Sequence, residues 1–557
     1  MENAPQNSPF LTDDNTTKDK AKFPQIAEGE AFEDVPTTDW PIPQRIAGQL
    51  PAVEPYDPIE AKPTYLTTTT FGYGILYFKK NSREPKDYLP SSLFNDEIKA
   101  MLEAAGFAKR RVGGDFVLIW HKDSIISVVS TEDMMAFFGA YVQRFLGGYS
   151  FNYQGRDYQI PPETIREIYL RNSHNIFNDK WLQHLREHTD PILRDTETEM
   201  FFPFKNAIVS VTKFGITVKP WEDMADGCVW AEQIIPHNFT LSSKPESSHF
   251  YRFLKNVTNS DERRWQPMVT GLGYLMHHHF RESEGQAVVF YDETITDTRT
   301  PQGGSGKGLI VNAIKQLRSI TKVDGKHLDS SNRFKWELIT PRTQVVWLDD
   351  VKHDFDFSML HSNLTDGWTI EPKHIRQFMI LPKDSPKTVI CSNSIIQGGG
   401  STNARRQFII ELSNHYSRQI VRGDEKPIET EHGCLFFGDA WNDEEWSSFF
   451  TFMVDCAKQY LNTGLIAFEG VNVDVNRFRQ ATSEDFAEWV ENPVLGLNEW
   501  HNTKQHYSSF TAIYYGDNNR IHQRTFTTWL KDYAAYKGYQ FNKRSSNGQQ
   551  FFQFKSA

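Results

Sequence analysis

Gly303-Gly304-Ser305-Gly306-Lys307-Gly308 has the composition of a loop that wraps phosphate. Glycines let successive backbone N–H groups turn onto phosphate oxygens, and a lysine at a helix start adds a compact positive charge. The loop stands between an apolar run, residues 286–291, and a segment that reads as a helix, residues 309–317. Strand, glycine loop, helix is the context such a loop needs. Two positions depart from the full pattern: Pro301 replaces a glycine, and Gly308 replaces the serine or threonine whose hydroxyl usually holds the nucleotide's magnesium. Gly303, Gly304, Ser305, Gly306, Lys307, Gly308 and Leu309 are the candidate phosphate contacts.

Two further strand ends carry polar groups. Val345-Val346-Trp347-Leu348 reads as a buried parallel strand, and Asp349-Asp350 falls at its C-terminal end, where ligands of open α/β sheets sit. Asp349 is placed to hold Mg²⁺ directly or through water, and Asp350 to polarise an attacking water. Lys387-Thr388-Val389-Ile390-Cys391 is a second short strand, and the amide of Asn393 follows it, able to hold that water and touch a terminal phosphate. Arg405 and Arg406 then precede a β-rich segment. Either suits a finger that reaches a neighbouring subunit's phosphates, and a solvated pair is the plain alternative.

This order of motifs resembles the superfamily 3 helicases of viruses, phages and plasmids, a branch of the AAA+ ATPases. It is similar in particular to the poxvirus-type and phage primase-helicase group, whose loop often reads Gly-Gly-x-Gly-Lys-Gly or -Ser after an acidic insert, as Asp292-Glu293-Thr294-Ile295-Thr296-Asp297 does here. Residues 200–209 look like the short strand before such cores, and 250–253 with Gly271-Leu272-Gly273-Tyr274-Leu275 look like their helical collar. The match spans roughly residues 195–415. It implies an ATP hydrolase with ATP and Mg²⁺ as cofactors, a homo-hexameric ring, single-stranded or forked DNA as substrate, and room for a separate primase as partner. In these enzymes the interval between the acid and asparagine strands carries a DNA-gripping hairpin. Here that interval holds Lys373, His374 and Arg376 among aromatics, a pattern that suits phosphate tracking and base stacking.

The elements that must position these groups fit a long chain. At 557 residues it should form three or four domains, and 14% aromatic residues supply ample cores. A net charge of −11 argues against a protein that coats nucleic acid over its whole surface. Residues 1–60, with twelve Asp/Glu, four Lys/Arg and nine prolines, account for −8 of that charge, so residues 1–62 read as a disordered acidic arm. Cys228, Cys391, Cys434 and Cys456 lack paired metal-ligand spacing, which points to a reducing setting. No apolar run approaches a membrane span and no signal-peptide core opens the chain, so a cytoplasmic place in a bacterial or phage-infected cell is expected, without a membrane partner.

The fold class expected is α/β, in four parts after the arm. Residues 63–150 read as a small α+β module in which Asp115 and His121 lack the second acid of a primase site. Residues 151–283 read as a mostly helical collar, where His277-His278-His279 cannot converge on one ion because adjacent helical positions diverge by about 100°. Residues 284–420 are the phosphate-loop ATPase. Residues 421–557 read as helical and then winged-helix-like: a helix over 525–534, a turn over 543–548 and a strand over 549–554. Lys543 and Arg544 there are candidate duplex contacts, or a surface that docks on the ring. The function expected is an ATP-dependent, ring-forming DNA helicase or translocase for replication of a phage, plasmid or integrated element. The alternatives are a nucleotide-gated initiator or loader that never unwinds, and a scaffold with a dead nucleotide site.

Overall fold

The computed structural model describes residues 64–556, apart from 85, 113–114, 145–148, 225–226, 282–284, 294–303, 353–354, 374–375, 394–395, 397–400, 425, 468–474, 476–477, 480, 492–494 and 517–520. The expected acidic arm, Gly303, His374 and most of the acidic insert lie outside the described residues.

Five parallel strands build the centre: β1 (Ala287–Asp292), β2 (Ile320–Asp324), β3 (Val345–Val351), β4 (Lys387–Ser392) and β5 (Gln407–Leu412). Their order in the sheet is β2-β3-β4-β1-β5. Every residue of β1 and β4 is buried, as near-continuous apolar runs in the middle of a parallel sheet require. Alternation divides β1 between two cores: Val288 and Phe290 face one, Ala287, Val289 and Tyr291 the other. The register pairs Val289 with Ile390 and Leu348 with the same Ile390, so the C-terminal ends of β1, β4 and β3 lie side by side.

Helices α1 (Glu262–Met276), α2 (Lys307–Lys315) and α3 (Ser401–Arg406) pack against the sheet, and α4 (Asp443–Thr463) packs against α1. In α1, a Cβ on Gly273 would lie 2.4 Å from the carbonyl of Cys456 in α4, and one on Gly271 would lie 2.6 Å from Ile410 in β5. Both glycines therefore exist for close packing between a helix and its two neighbours. One apolar core runs from Met200 to Tyr460 and crosses positions 283/284 and 420/421, where the sequence suggests domain limits.

Upstream, four antiparallel strands cover Thr64–Thr67 through Tyr88–Leu93. A second sheet takes Phe107–Val112, Asp115–Lys122 and Ile125–Val128 and adds Val229–Trp230 in parallel. Downstream, β6 (His501–Asn502), α5 (Thr503–Tyr514), α6 (Gln523–Lys537), β7 (Gln540–Ser546) and β8 (Gln549–Lys555) share a core of Phe510, Phe526, Leu530, Phe552 and Phe554. The three strands lie in the order β6-β8-β7, antiparallel. The turn between β7 and β8 is shorter than the sequence suggests: only Asn547 (φ 52°) and Gly548 (φ 74°) make it, and Lys543 and Arg544 sit in β7. Two left-handed residues match the twist of a hairpin, and Asn-Gly supplies them at low cost. Among the described residues no helix is long and apolar enough to cross a membrane.

Candidate nucleotide site

Backbone shape dictates the loop. Gly304 and Gly306 have φ of 102° and 99°, which L side chains rarely adopt, and a Cβ on Gly306 would lie 2.6 Å from the Phe253 ring. The Gly306 carbonyl accepts from the amides of Leu309 and Ile310, starting α2. Lys307 is the first residue of that helix and is buried. Its Nζ lies 2.5 Å from Oδ2 of Asp292 and 3.2 Å from Oγ of Ser305. Gly308 is under no such constraint: a Cβ there would meet only the Trp347 ring, at 3.9 Å.

At the end of β3, the pairing with β4 slips between Leu348 and Val351, and Asp350 takes a left-handed backbone (φ 54°). Consecutive strand residues point to opposite faces, so a bulge is needed to re-aim one of two adjacent acids. Asp349 is paired with Lys322 of β2 at 2.7 Å, and Asp350 with Lys326 just beyond β2 at 2.5 Å. Asn393 donates to Asp350 Oδ1 at 3.1 Å, while its own Oδ1 is buried without a hydrogen-bond partner.

The buried thiol of Cys391, at the end of β4, registers how these groups converge. Burial pushes its pKa up to about 12; Lys307 pulls it down, and Asp349 and Asp292 push it further up. Lysine and acids thus act on one point at the ends of β1, β4 and β3. Among the described residues no group of three or more His, Cys, Asp or Glu could hold an ion by itself. A magnesium here would need the nucleotide's own oxygens beside one or two carboxylates, the usual habit of that ion. The orphaned Oδ1 of Asp292 and the acid of Asp349 fit such a donor set. Sequence reasoning passed over Asp292 as part of the insert, although an acid that ends the loop's own strand was visible. Lys322 and Lys326 were also missed; β2 lies at the sheet edge, which no local pattern announces.

Arg405 and Arg406 lie elsewhere. They end α3, and the next residue, Gln407, pairs with Ala287 at the N-terminal edge of the sheet. That edge is about 20 Å of strand from the loop end. Arg405 is exposed and its carbonyl accepts from Gln286 at 2.9 Å. Arg406 is half-buried, with Nε and Nη1 lacking hydrogen-bond partners.

The hairpin between the acid and asparagine strands consists of Trp368–Ile370 and Phe378–Ile380. Trp368 anchors it edge-on to Trp336 at 5.0 Å. Lys373, exposed between its two strands, lies 3.5 Å from Glu337 and 5.8 Å from the Phe334 ring centre, and Arg376 is exposed too. In the C-terminal hairpin Arg544 covers the Trp500 ring at 4.2 Å, and Lys543 lies 5.6 Å from the Phe541 ring centre. The histidine run is structural in its bonds: His277 Nε2 meets the Thr196 carbonyl at 2.7 Å, and the His278 amide donates to Asp195.

No family model and no curated protein matches the chain. Among solved structures it is similar to "The A form apo structure of NrS-1 C terminal region-CTR", at 14% identity over 67% of this chain and 100% of that one, with a TM-score of 0.28. It is also similar to "Structure of Drosophila ORC bound to DNA", at 11% identity over 57% of this chain and 92% of that one, with a TM-score of 0.16.

Proposed function

We propose that the chain is an ATP-dependent DNA helicase or translocase built on a superfamily 3 type AAA+ core, working as a homo-hexameric ring in replication of a phage, plasmid or integrated element. One observation carries the reading: a phosphate-loop lysine, a bulged pair of acids and an asparagine stand at the C-terminal ends of three neighbouring parallel strands. Phosphoryl transfer asks a protein mainly for positioning and charge. Loop amides and Lys307 neutralise the phosphates of ATP, Asp349 holds Mg²⁺, and Asp350 with Asn393 places the water. The metal supplies further charge neutralisation when bound. Arg405 and Arg406 are too far from their own subunit's loop, which supports a site completed by a neighbour.

The C-terminal strand–helix–helix–hairpin order supports a winged-helix reading, with Lys543 and Arg544 on the wing. That basic wing also favours a second reading, a nucleotide-gated initiator or loader. ATP hydrolysis with and without single-stranded DNA, together with strand displacement on forked DNA, tests both. Wild type should hydrolyse ATP and Lys307→Ala should not; full turnover in Lys307→Ala ends the ATPase reading, and turnover without displacement selects the loader.

A further inference from the structure

We propose that Asp292 does the work of the hydroxyl missing at position 308: it holds Lys307 in the nucleotide-free protein and takes the nucleotide's magnesium once a triphosphate has claimed the lysine. This rests on the nucleotide reading above and adds to it a residue outside the phosphate-loop pattern. Asp292 ends β1, and its side chain is 10% exposed. Oδ2 is bound to Lys307, and Oδ1 is buried with no hydrogen-bond partner. A buried acceptor left unmet is unfavourable, so its retention points to an occupant.

The backbone here is fixed. Asp292 pairs with Leu412 in β5, and the next amide, of Glu293, donates to the Leu412 carbonyl at 2.7 Å. Arg264 of α1 grips the Glu293 carboxylate at 2.7 Å. The Asp292 backbone is therefore held in place when phosphates arrive and draw Lys307 away. A carboxylate facing phosphate oxygens is repelled unless a dication lies between them, and Mg²⁺ favours carboxylate plus phosphate oxygens. Sterics do not explain Gly308, since a side chain fits there. The metal ligand has moved from the helix to the strand.

The test is binding of a fluorescent, non-hydrolysable ATP analogue to the full chain, in excess MgCl₂ and in EDTA. Wild type should bind more tightly with magnesium. Asp292→Asn should bind at least as well as wild type in EDTA, because the lysine is released, yet lose roughly tenfold or more of the magnesium-dependent gain. Asp292→Ala, which leaves no ligand oxygen, should behave alike, which guards against a folding defect in one variant, and Gly308→Thr in the Asp292→Asn background should restore the gain. Unchanged magnesium dependence in both Asp292 variants overturns the metal role, and weaker binding in EDTA overturns the lysine-holding role. A wild type that binds no analogue overturns the nucleotide reading itself, a separate failure.

Discussion

Asn393 reaches from the end of β4 to Oδ1 of Asp350 at the end of β3, across 3.1 Å, while Lys326 holds the other oxygen at 2.5 Å. Asp350, the acid proposed to polarise water, is thus aimed by one neighbour and restrained by another. An amide that orients a carboxylate acts in the transition state more than in binding. Asn393→Ala should lower ATP turnover by about a hundredfold or more while leaving nucleotide affinity within a few fold. Parallel turnover and nucleotide-binding titrations check this, and an unchanged rate would remove Asn393 from the site.

Arg406 stands at the sheet edge away from its own loop, with two guanidinium nitrogens unbonded. A finger acting across a subunit boundary is worth about 10³–10⁵ in rate. Arg406→Ala, or Arg405→Ala if that residue is the finger, should be inactive yet bind nucleotide. Mixing it with inactive Lys307→Ala should restore part of the turnover, because some interfaces then join an intact loop to an intact arginine. Two inactive variants that never complement would count against a shared site.

Local patterns made the centre of the fold legible because β1, β3 and β4 are continuous apolar runs that end in polar residues. The positions of Lys307 at a helix start and of Asp349, Asp350 and Asn393 at strand ends were readable for the same reason. Charge partners were not. Lys322 reaches Asp349 only because β2 pairs with β3, and Asp292 meets Lys307 across 15 positions of sequence. Strand order lies beyond any window of sequence. The short β6 strand was also invisible: two residues, His501 and Asn502, carry no periodicity and are strand only through pairing with Phe551 and Phe552.

Arg264 bonds two acids at once, Glu293 and Glu411, each at 2.7 Å, and the Glu411 side chain is 1% exposed. Removing one partner of a buried ion cluster leaves charge in a poor solvent. Arg264→Ala should destabilise the protein by about 3–5 kcal/mol, read from the shift of a urea unfolding midpoint. Adding Glu411→Gln should recover part of the loss. A shift below about 1 kcal/mol would show that this cluster does not brace β1 against β5.

His277 gives the fold an acid limit. It is fully buried, donates from Nε2 to the Thr196 carbonyl, and burial lowers its pKa from 6.5 to about 3. Burial likewise lowers His432, bonded to the Tyr416 hydroxyl, to about 4. Each is neutral when folded and takes up a proton only on unfolding below its ordinary pKa of 6.5. Their contribution is therefore complete above pH 6.5 and is lost as pH falls from there toward about 4 for His432 and about 3 for His277. The loss is about 1.4 kcal/mol per pH unit for each group. Unfolding free energies measured in steps from about pH 7 to about pH 5 should fall accordingly, and His277→Gln should reduce the slope by close to one proton. An equal slope in that variant would mean that His277 is already protonated in the folded chain.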